Sequence, residues 1–337
     1  MTAWHENLNR PEEVDAGRAP HPPFDPELVP ALESAHREAP VTLTASNLEE
    51  CRRAELEGTP SLEVLAQGGA EILERLVPGP DGAPDVSLLI IRPPGDRGLL
   101  PGLFHTHGGG MVMGNNRTGL EAMIGWVTDP GLVIVSVEYR LAPEHPFPAG
   151  VEDCYAALAW TAEHATELGI DALRLVVGGG SAGGGLAAAC SLMARDRGGP
   201  ALAGQMLIYP MLDDRAATGS ASELDGDGIW DSGSNQAAWT MLLGDSRGRD
   251  GVSPYAAPAR ASDLSRLPPA YLELGSVETL RDEDVSYARR IWAAGGDAEL
   301  HVWPGGYHAF DLIAPASALA RTALGVRLAW LRRITGS

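Results

Sequence analysis

The sequence predicts an α/β fold, a mostly parallel central sheet covered by helices on both faces, and three observations carry that expectation. From Asp85 onward, short apolar runs bounded by Gly, Pro or Asp recur along the chain, which is the texture of strands buried on both faces. Helical patterns separate those runs, and strands alternating with helices imply parallel pairing. The chain has 337 residues, 44% of them hydrophobic and 21% charged, so it can bury the core that such a sheet needs.

Residues 1–60 are rich in Pro, Glu and Ala and show short helical patterns at Pro26–Glu38 and Leu48–Leu56 with no clear strand. They read as a helical arm. The first part of the core, 61–212, holds the runs DVSLLIIRP from Asp85, LLPGLFHTH from Leu99, LVIVSVEY from Leu132, LRLVVGG from Leu173 and GQMLIYP from Gly204, with helical patterns at Val151–Leu168 and Ala182–Arg195. Alternation then stops. Residues 213–268 contain no convincing strand, but they do contain Gly-rich hinges, Trp230, Trp239 and a helical pattern at Asn235–Leu243. A loop this long inside a compact domain is usually functional, so the interval is expected to be a lid inserted above the sheet. The core resumes over 269–337 with PAYLELG from Pro269 and AELHVWP from Ala298, and with helices at Asp282–Ala294 and Pro315–Leu331.

Composition excludes several chemistries. All 25 basic residues are arginine, so Schiff-base enzymes, which need an ε-amine, and P-loop NTPases, which need the lysine of their phosphate loop, are ruled out. A net charge of −20 with a pI near 4.8 repels nucleic acid and anionic membranes and leaves neutral or cationic partners. Cys51, Cys154 and Cys190 are too few and too scattered for a disulfide framework or a metal knuckle, and each is expected to be a buried hydrophobe. The amino terminus lacks a basic segment followed by an apolar run, and no apolar stretch is long enough to span a bilayer, so a cytoplasmic location is expected.

The strongest chemical signal is LRLVVGGGSAGGGLAAAC, in which a strand runs into Gly179-Gly180-Ser181-Ala182-Gly183 and directly out into a helix. This is G-x-S-x-G in the strand–turn–helix context that exposes a serine hydroxyl, with glycines that allow the strained turn and the approach of a substrate. The amide of Ala182, at the helix N-terminus, favours a developing oxyanion. A Gly-rich helix start with an incidental serine cap is the bland alternative. Gly178, Gly180 and Gly183 also satisfy G-x-G-x-x-G, which would make a dinucleotide-binding turn. That motif normally opens a fold and needs an acid closing the next strand, whereas here at least four strands come first and the next ends in Tyr209-Pro210.

Upstream, His107-Gly108-Gly109-Gly110 ends a strand in a turn that can present a pair of backbone N–H groups. His107 is expected to pin that turn and His105 to be a strand residue. No third ligand at a supporting spacing makes the H-x-H a zinc site. Downstream, Glu278 and His308 each follow an apolar strand, so the order is serine, acid, histidine, the order in which a histidine takes the serine proton and a carboxylate fixes its tautomer.

In these motifs the chain resembles the hormone-sensitive lipase family of α/β-hydrolases, whose bacterial members are carboxylesterases. HGGG at 107–110, EYRLAPEHPFPA at 138–149, the Ser181 elbow, YPMLDD at 209–214, LRDE at 280–283 and Tyr307-His308 fall in the family's order, and the match covers about residues 70–335. The resemblance implies an α/β-hydrolase fold with a helical cap built from the residues before about 60 together with 213–268. It also implies a short-chain ester as substrate, a catalytic Ser181, Glu278 and His308, oxyanion donors at Gly109, Gly110 and Ala182, and a substrate-facing set of Gly108, Met111, Trp230 and Tyr307. No metal or organic cofactor is implied, and a homodimer is compatible with it.

Three departures stand out. Gly180 occupies a position where the family commonly has Asp. Glu278-Thr279 stands where Asp-Pro is common, with Asp282 as the fallback acid if Glu278 is misplaced. Met111 and Val112 follow HGGG where an aromatic is common, which would leave a wider or softer acyl pocket. A nicotinamide-dependent oxidoreductase and a non-catalytic receptor on the same fold remain as rival readings, and His308 argues against the receptor. The run Asp225-Gly226-Asp227-Gly228 lacks the later ligands of a calcium loop, and Arg247, Arg249, Arg260 and Arg266 are expected to form a solvated face.

Overall fold

The computed structural model describes residues 21–337. Its centre is one eight-stranded sheet: β1 (Glu71–Val77), β2 (Val86–Arg92), β3 (Leu100–Thr106), β4 (Val133–Glu138), β5 (Ile170–Gly180), β6 (Gly204–Ile208), β7 (Ala270–Gly275) and β8 (Ala298–Trp303). The spatial order is β1-β2-β4-β3-β5-β6-β7-β8. β1–β2 and β2–β4 are antiparallel, and every pairing from β4 to β8 is parallel, so the mostly parallel α/β sheet expected from the sequence is what the chain forms.

The longer helices are α1 (Val29–Glu38), α2 (Leu48–Gly58), α3 (Ala149–Glu163), α4 (Ala182–Arg197), α5 (Ser232–Leu243), α6 (Arg281–Ala293) and α7 (Ala318–Thr335). Each predicted helical pattern lies on one of them, except that Val151–Leu168 is broken at His164, where α3 ends and a separate short helix, Ala165–Leu168, follows. α4 is buried along nearly its whole length against β5 and β6, because AGGGLAAAC offers side chains small enough for backbone to meet backbone. At Gly183 an added Cβ would lie 2.0 Å from the carbonyl oxygen of Thr106, so that residue is set by packing between α4 and β3.

One strand escaped the sequence reading. β1, EILERLV, is an antiparallel edge strand whose residues are mostly half-buried or exposed, with Leu73 and Leu76 facing solvent. An edge strand that buries little shows neither the continuous apolar run of a central strand nor clean alternation.

Between β6 and β7, residues 213–268 contain α5 and single helical turns and no strand. This interval meets the arm directly. Thr42 Oγ1 donates to Asp231 Oδ2 at 2.6 Å, Leu43 N–H donates to Ser234 Oγ at 2.8 Å, and His36 Nε2 lies 2.7 Å from the Gly228 carbonyl oxygen. Of the expected arm, residues 1–20 lie outside the described residues.

The expected solvated arginine face is not one. Arg249 and Arg266 are exposed, but Arg260 and Arg247 are partly buried, and Arg260 forks onto Asp214 at 2.5 and 2.9 Å. A fully buried carboxylate requires that partner. The three cysteines are free and buried, as expected. Among the described residues no helix is long and apolar enough to cross a membrane.

Candidate active site

Parallel strands end on one side of the sheet, and the segments leaving β3, β5, β7 and β8 there bring together residues far apart in sequence. β5 delivers Ser181. Its φ of 58° and ψ of −124° form a sharp turn that a non-glycine residue adopts only under constraint. The constraint is visible: Ser181 N–H donates to the Ile208 carbonyl at 2.9 Å, and its carbonyl accepts Gly185 N–H at 3.1 Å and Met211 N–H at 3.0 Å.

Glu278 and His308 are joined by the ends of β7 and β8. An added Cβ on Gly275 would lie 2.0 Å from the carbonyl oxygen of Gly306, so only glycine permits this approach, and Val277 N–H donates to that same oxygen at 3.0 Å. His308 Nδ1 lies 2.5 Å from Glu278 Oε1, and His308 Nε2 lies 2.9 Å from Ser181 Oγ. A carboxylate only accepts, so Nδ1 carries the proton and Nε2 is left to accept from the hydroxyl. Glu278 Oε2 accepts Gly275 N–H at 3.0 Å, which fixes the carboxylate plane. All three side chains are buried, Ser181 to 7% exposure and Glu278 to 1%, so their hydrogen bonds lie in a medium where electrostatics are strong. Asp282, the fallback acid, is elsewhere: it accepts Ser220 N–H at 2.9 Å and pairs with Arg281.

β3 leads into the glycine turn. Gly109 and Gly110 have φ of 104° and 63°, and an added Cβ on Gly109 would lie 2.2 Å from the carbonyl oxygen of Met113. His107 braces this turn through Nδ1, 2.8 Å from the Gly108 carbonyl, and stacks on Tyr139, whose hydroxyl donates to the His107 carbonyl at 2.8 Å. Burial pushes His107 down to about 4, so it is neutral near pH 7. His105, a β3 residue, is pushed down to about 3 by burial and by His107, with Nδ1 2.9 Å from Ser136 Oγ. Among the described residues, the amide N–H groups of Gly109, Gly110 and Ala182 donate to no protein acceptor, so they are free to receive an anionic oxygen. Gly108 is beside Ser181, with its Cβ position 3.6 Å from Ser181 Cβ.

The other expected substrate-facing residues fall differently. Trp230 belongs to the site, packed on Gly110 with its ring centroid 6.2 Å from that of His308. Met111 packs beside Gly185 and, with Tyr139, Phe147 and Leu186, lines a cavity of about 10 Å³. Tyr307 does not face the site: it is fully buried under the arm, its hydroxyl donates to the Leu28 carbonyl at 3.3 Å, and Phe24 meets its ring edge-on. A large ring next to the histidine in sequence is carried to the opposite side of the loop by the backbone.

The dinucleotide alternative finds no support in the glycines. Those of the G-x-G-x-x-G pattern face protein atoms: Gly178 meets Met206, Gly180 the ring of Tyr209, and Gly183 the backbone of Thr106. Among the described residues, no group of three His, Cys, Asp or Glu side chains could hold a metal ion.

Sequence reasoning passed over two groups at this site. Thr279 Oγ1 donates to the Trp230 carbonyl at 2.7 Å and ties the acid's segment to the insertion. Tyr209 lies against His308 with ring centroids 4.7 Å apart. The position of Tyr209 at the end of a central strand was the available signal.

Comparison with known proteins gives a consistent picture. A family profile described as alpha/beta hydrolase fold matches residues 103–312. The carboxylesterase NlhH of Mycobacterium tuberculosis is 38% identical over 315 residues, covering 91% of this chain and 96% of that protein. An ethyl acetate hydrolase of Pseudomonas putida is 34% identical over 226 residues, covering 66% of this chain and 70% of its own. The solved structure of a bacterial heroin esterase superposes with a TM-score of 0.86 at 39% identity, covering 93% of this chain and 98% of that one.

Proposed function

We infer, for a chain that belongs to the hormone-sensitive lipase branch of the α/β-hydrolase family and is a carboxylic ester hydrolase, that it cleaves short-chain acyl or aryl esters through Ser181, His308 and Glu278. The observation that carries this reading is the continuous relay from Ser181 Oγ through His308 to Glu278, at 2.9 and 2.5 Å.

Ser181 Oγ attacks the ester carbonyl carbon while His308 Nε2 takes the hydroxyl proton, and Glu278 holds the ring's tautomer and stabilises the imidazolium. The carbonyl oxygen becomes an oxyanion held by the N–H groups of Gly109, Gly110 and Ala182, with each donor worth roughly 3–4 kcal/mol in the transition state. His308 returns the proton to the departing alkoxide, leaving an acyl-serine. Water, deprotonated by His308, attacks that ester in turn and releases the carboxylic acid.

A short acyl group is supported by the crowding of Trp230 on Gly110. The arm and residues 213–268, which bond to one another over the site, serve as its cap. A net charge of −20 favours neutral or cationic esters, and three free cysteines fit a reducing cytoplasm.

The test is turnover of p-nitrophenyl acetate and butyrate together with mass-spectrometric labelling by an organophosphate. The parent should turn over and carry one label on Ser181. Ser181→Ala should lose label and at least about a thousand-fold in kcat. Retained turnover in that variant would overturn the assignment.

A further inference from the structure

We propose that Tyr209 is a positioning residue that sets the tilt of the His308 imidazole, with Asp311 and Arg327 as its anchor. The inference rests on the ester-hydrolase reading above, since it concerns how that reading's base is held.

Hydrogen bonds at Nδ1 and Nε2 fix where the two nitrogens lie, but χ2 of a histidine is a broad torsion and the tilt of the ring plane stays soft. Something beside the ring has to set that angle. Tyr209 is that neighbour: its ring meets His308 at 62° with centroids 4.7 Å apart. Trp230 is farther, at 6.2 Å and 33°. On its other side the Tyr209 ring lies against the backbone just before the nucleophile, where an added Cβ on Gly180 would be 3.2 Å from Cε2. The ring therefore fills the wedge between Gly180 and the base.

Its placement is expensive and tightly held. Tyr209 has φ of 37°, in the left-handed region that non-glycine residues avoid, and its N–H donates to the Glu273 carbonyl at 2.6 Å. Its hydroxyl donates to Asp311 Oδ1 at 2.9 Å. Asp311 lies just past His308 in the short helix Phe310–Ile313, and its other oxygen accepts from Arg327 of α7 at 2.9 Å. Arg327 also pairs with Glu273 Oε1, and Tyr271 donates to Glu273 Oε2 at 2.6 Å. The circuit thus closes from the end of β6 through β7 and α7 to the loop that carries the base. A buried ion-pair network is weak evidence for stability but well suited to fixing a geometry.

The experiment compares the full-length parent, Tyr209→Leu, Tyr209→Phe and Ser181→Ala on p-nitrophenyl butyrate, with circular dichroism to confirm folding. Tyr209→Leu should lose at least about tenfold in kcat with KM within about twofold, because the bound ester is untouched while the base is misaligned. Tyr209→Phe keeps the ring and loses the anchor, so it should fall only about threefold. A folded Tyr209→Leu with parental kcat overturns the proposal, as does a Phe variant no better than the Leu variant. Should Tyr209→Leu not fold, Tyr209→Phe decides alone, and parental kcat there removes the anchor. If Ser181→Ala keeps its turnover, the hydrolase reading itself has failed, which is a separate result.

Discussion

The indole of Trp230 stands on Gly110: a carbon placed at the glycine's Cβ position would lie 2.5 Å from Cη2 and 3.1 Å from Cζ2. The same residue's carbonyl accepts Thr279 Oγ1, beside Glu278, and the next residue, Asp231, takes the hydroxyl of Thr42 from the arm. One loop of the insertion thus bears on the glycine turn, the acid's segment and the arm.

Gly110→Ala meets two obstacles, the Trp230 ring and a φ of 63°. Displacing the turn moves its N–H groups away from the oxyanion, so kcat should drop by roughly a hundred-fold, and the clash and the positive φ should lower Tm as well. Gly125→Ala, which meets nothing within 4 Å, is the control and should keep parental activity. Equal rates in the two variants would remove the glycine turn from the mechanism.

Glu278→Gln keeps the shape but cannot hold the imidazole in the required tautomer or balance its charge. We expect kcat to fall by about two to four orders of magnitude on p-nitrophenyl butyrate. Asp282→Asn, which disturbs only contacts with Ser220 and Arg281, should stay within about threefold. The reverse ranking would make Asp282 the acid.

Arg327→Met leaves the carboxylates of Glu273 and Asp311 buried without their cation. Breaking one partner of a buried network costs about 3–5 kcal/mol, which should appear as a lower urea midpoint at unchanged slope. A midpoint equal to that of the parent would mean that the network relaxes freely.

Asp284 is fully buried in the first turn of α6 with neither carboxylate oxygen hydrogen-bonded among the described residues. Burial, reinforced by Glu283 and Glu278, pushes its carboxyl well above the usual range. The native chain therefore keeps a proton that the unfolded chain has released, so this group's contribution to stability falls as pH rises above about 4. Asparagine cannot titrate. The stability of Asp284→Asn relative to the parent should be flat below about pH 4 and should improve toward pH 8 by up to about 1.4 kcal/mol per pH unit. Parallel stability curves would show that Asp284 is ionised in the fold.

Much of this was legible in the chain itself, because local constraints write themselves into residue type. Buried strands need apolar runs, and the central strands carry them; β1, an edge strand that is mostly half-buried or exposed, does not. The elbow and the HGGG turn were readable because close backbone approach admits only glycine, as the 2.0 Å gap between Gly183 and Thr106 shows. Ser181, Glu278 and His308 could be ordered from their places after strands.

What the sequence determined by itself is therefore the sheet, the nucleophile's turn and the residue types able to carry acyl transfer without a single lysine. Only the tertiary structure decided which groups touch. It brought Glu278 rather than Asp282 to His308, turned Tyr307 toward the arm, folded Arg260 onto Asp214, and set Tyr209 against His308 with Arg327 behind it. The physical reason is direction: strand period and glycine spacing constrain where a backbone goes. Which way a side chain leaves a loop is settled by partners far away in sequence, and no local pattern records them.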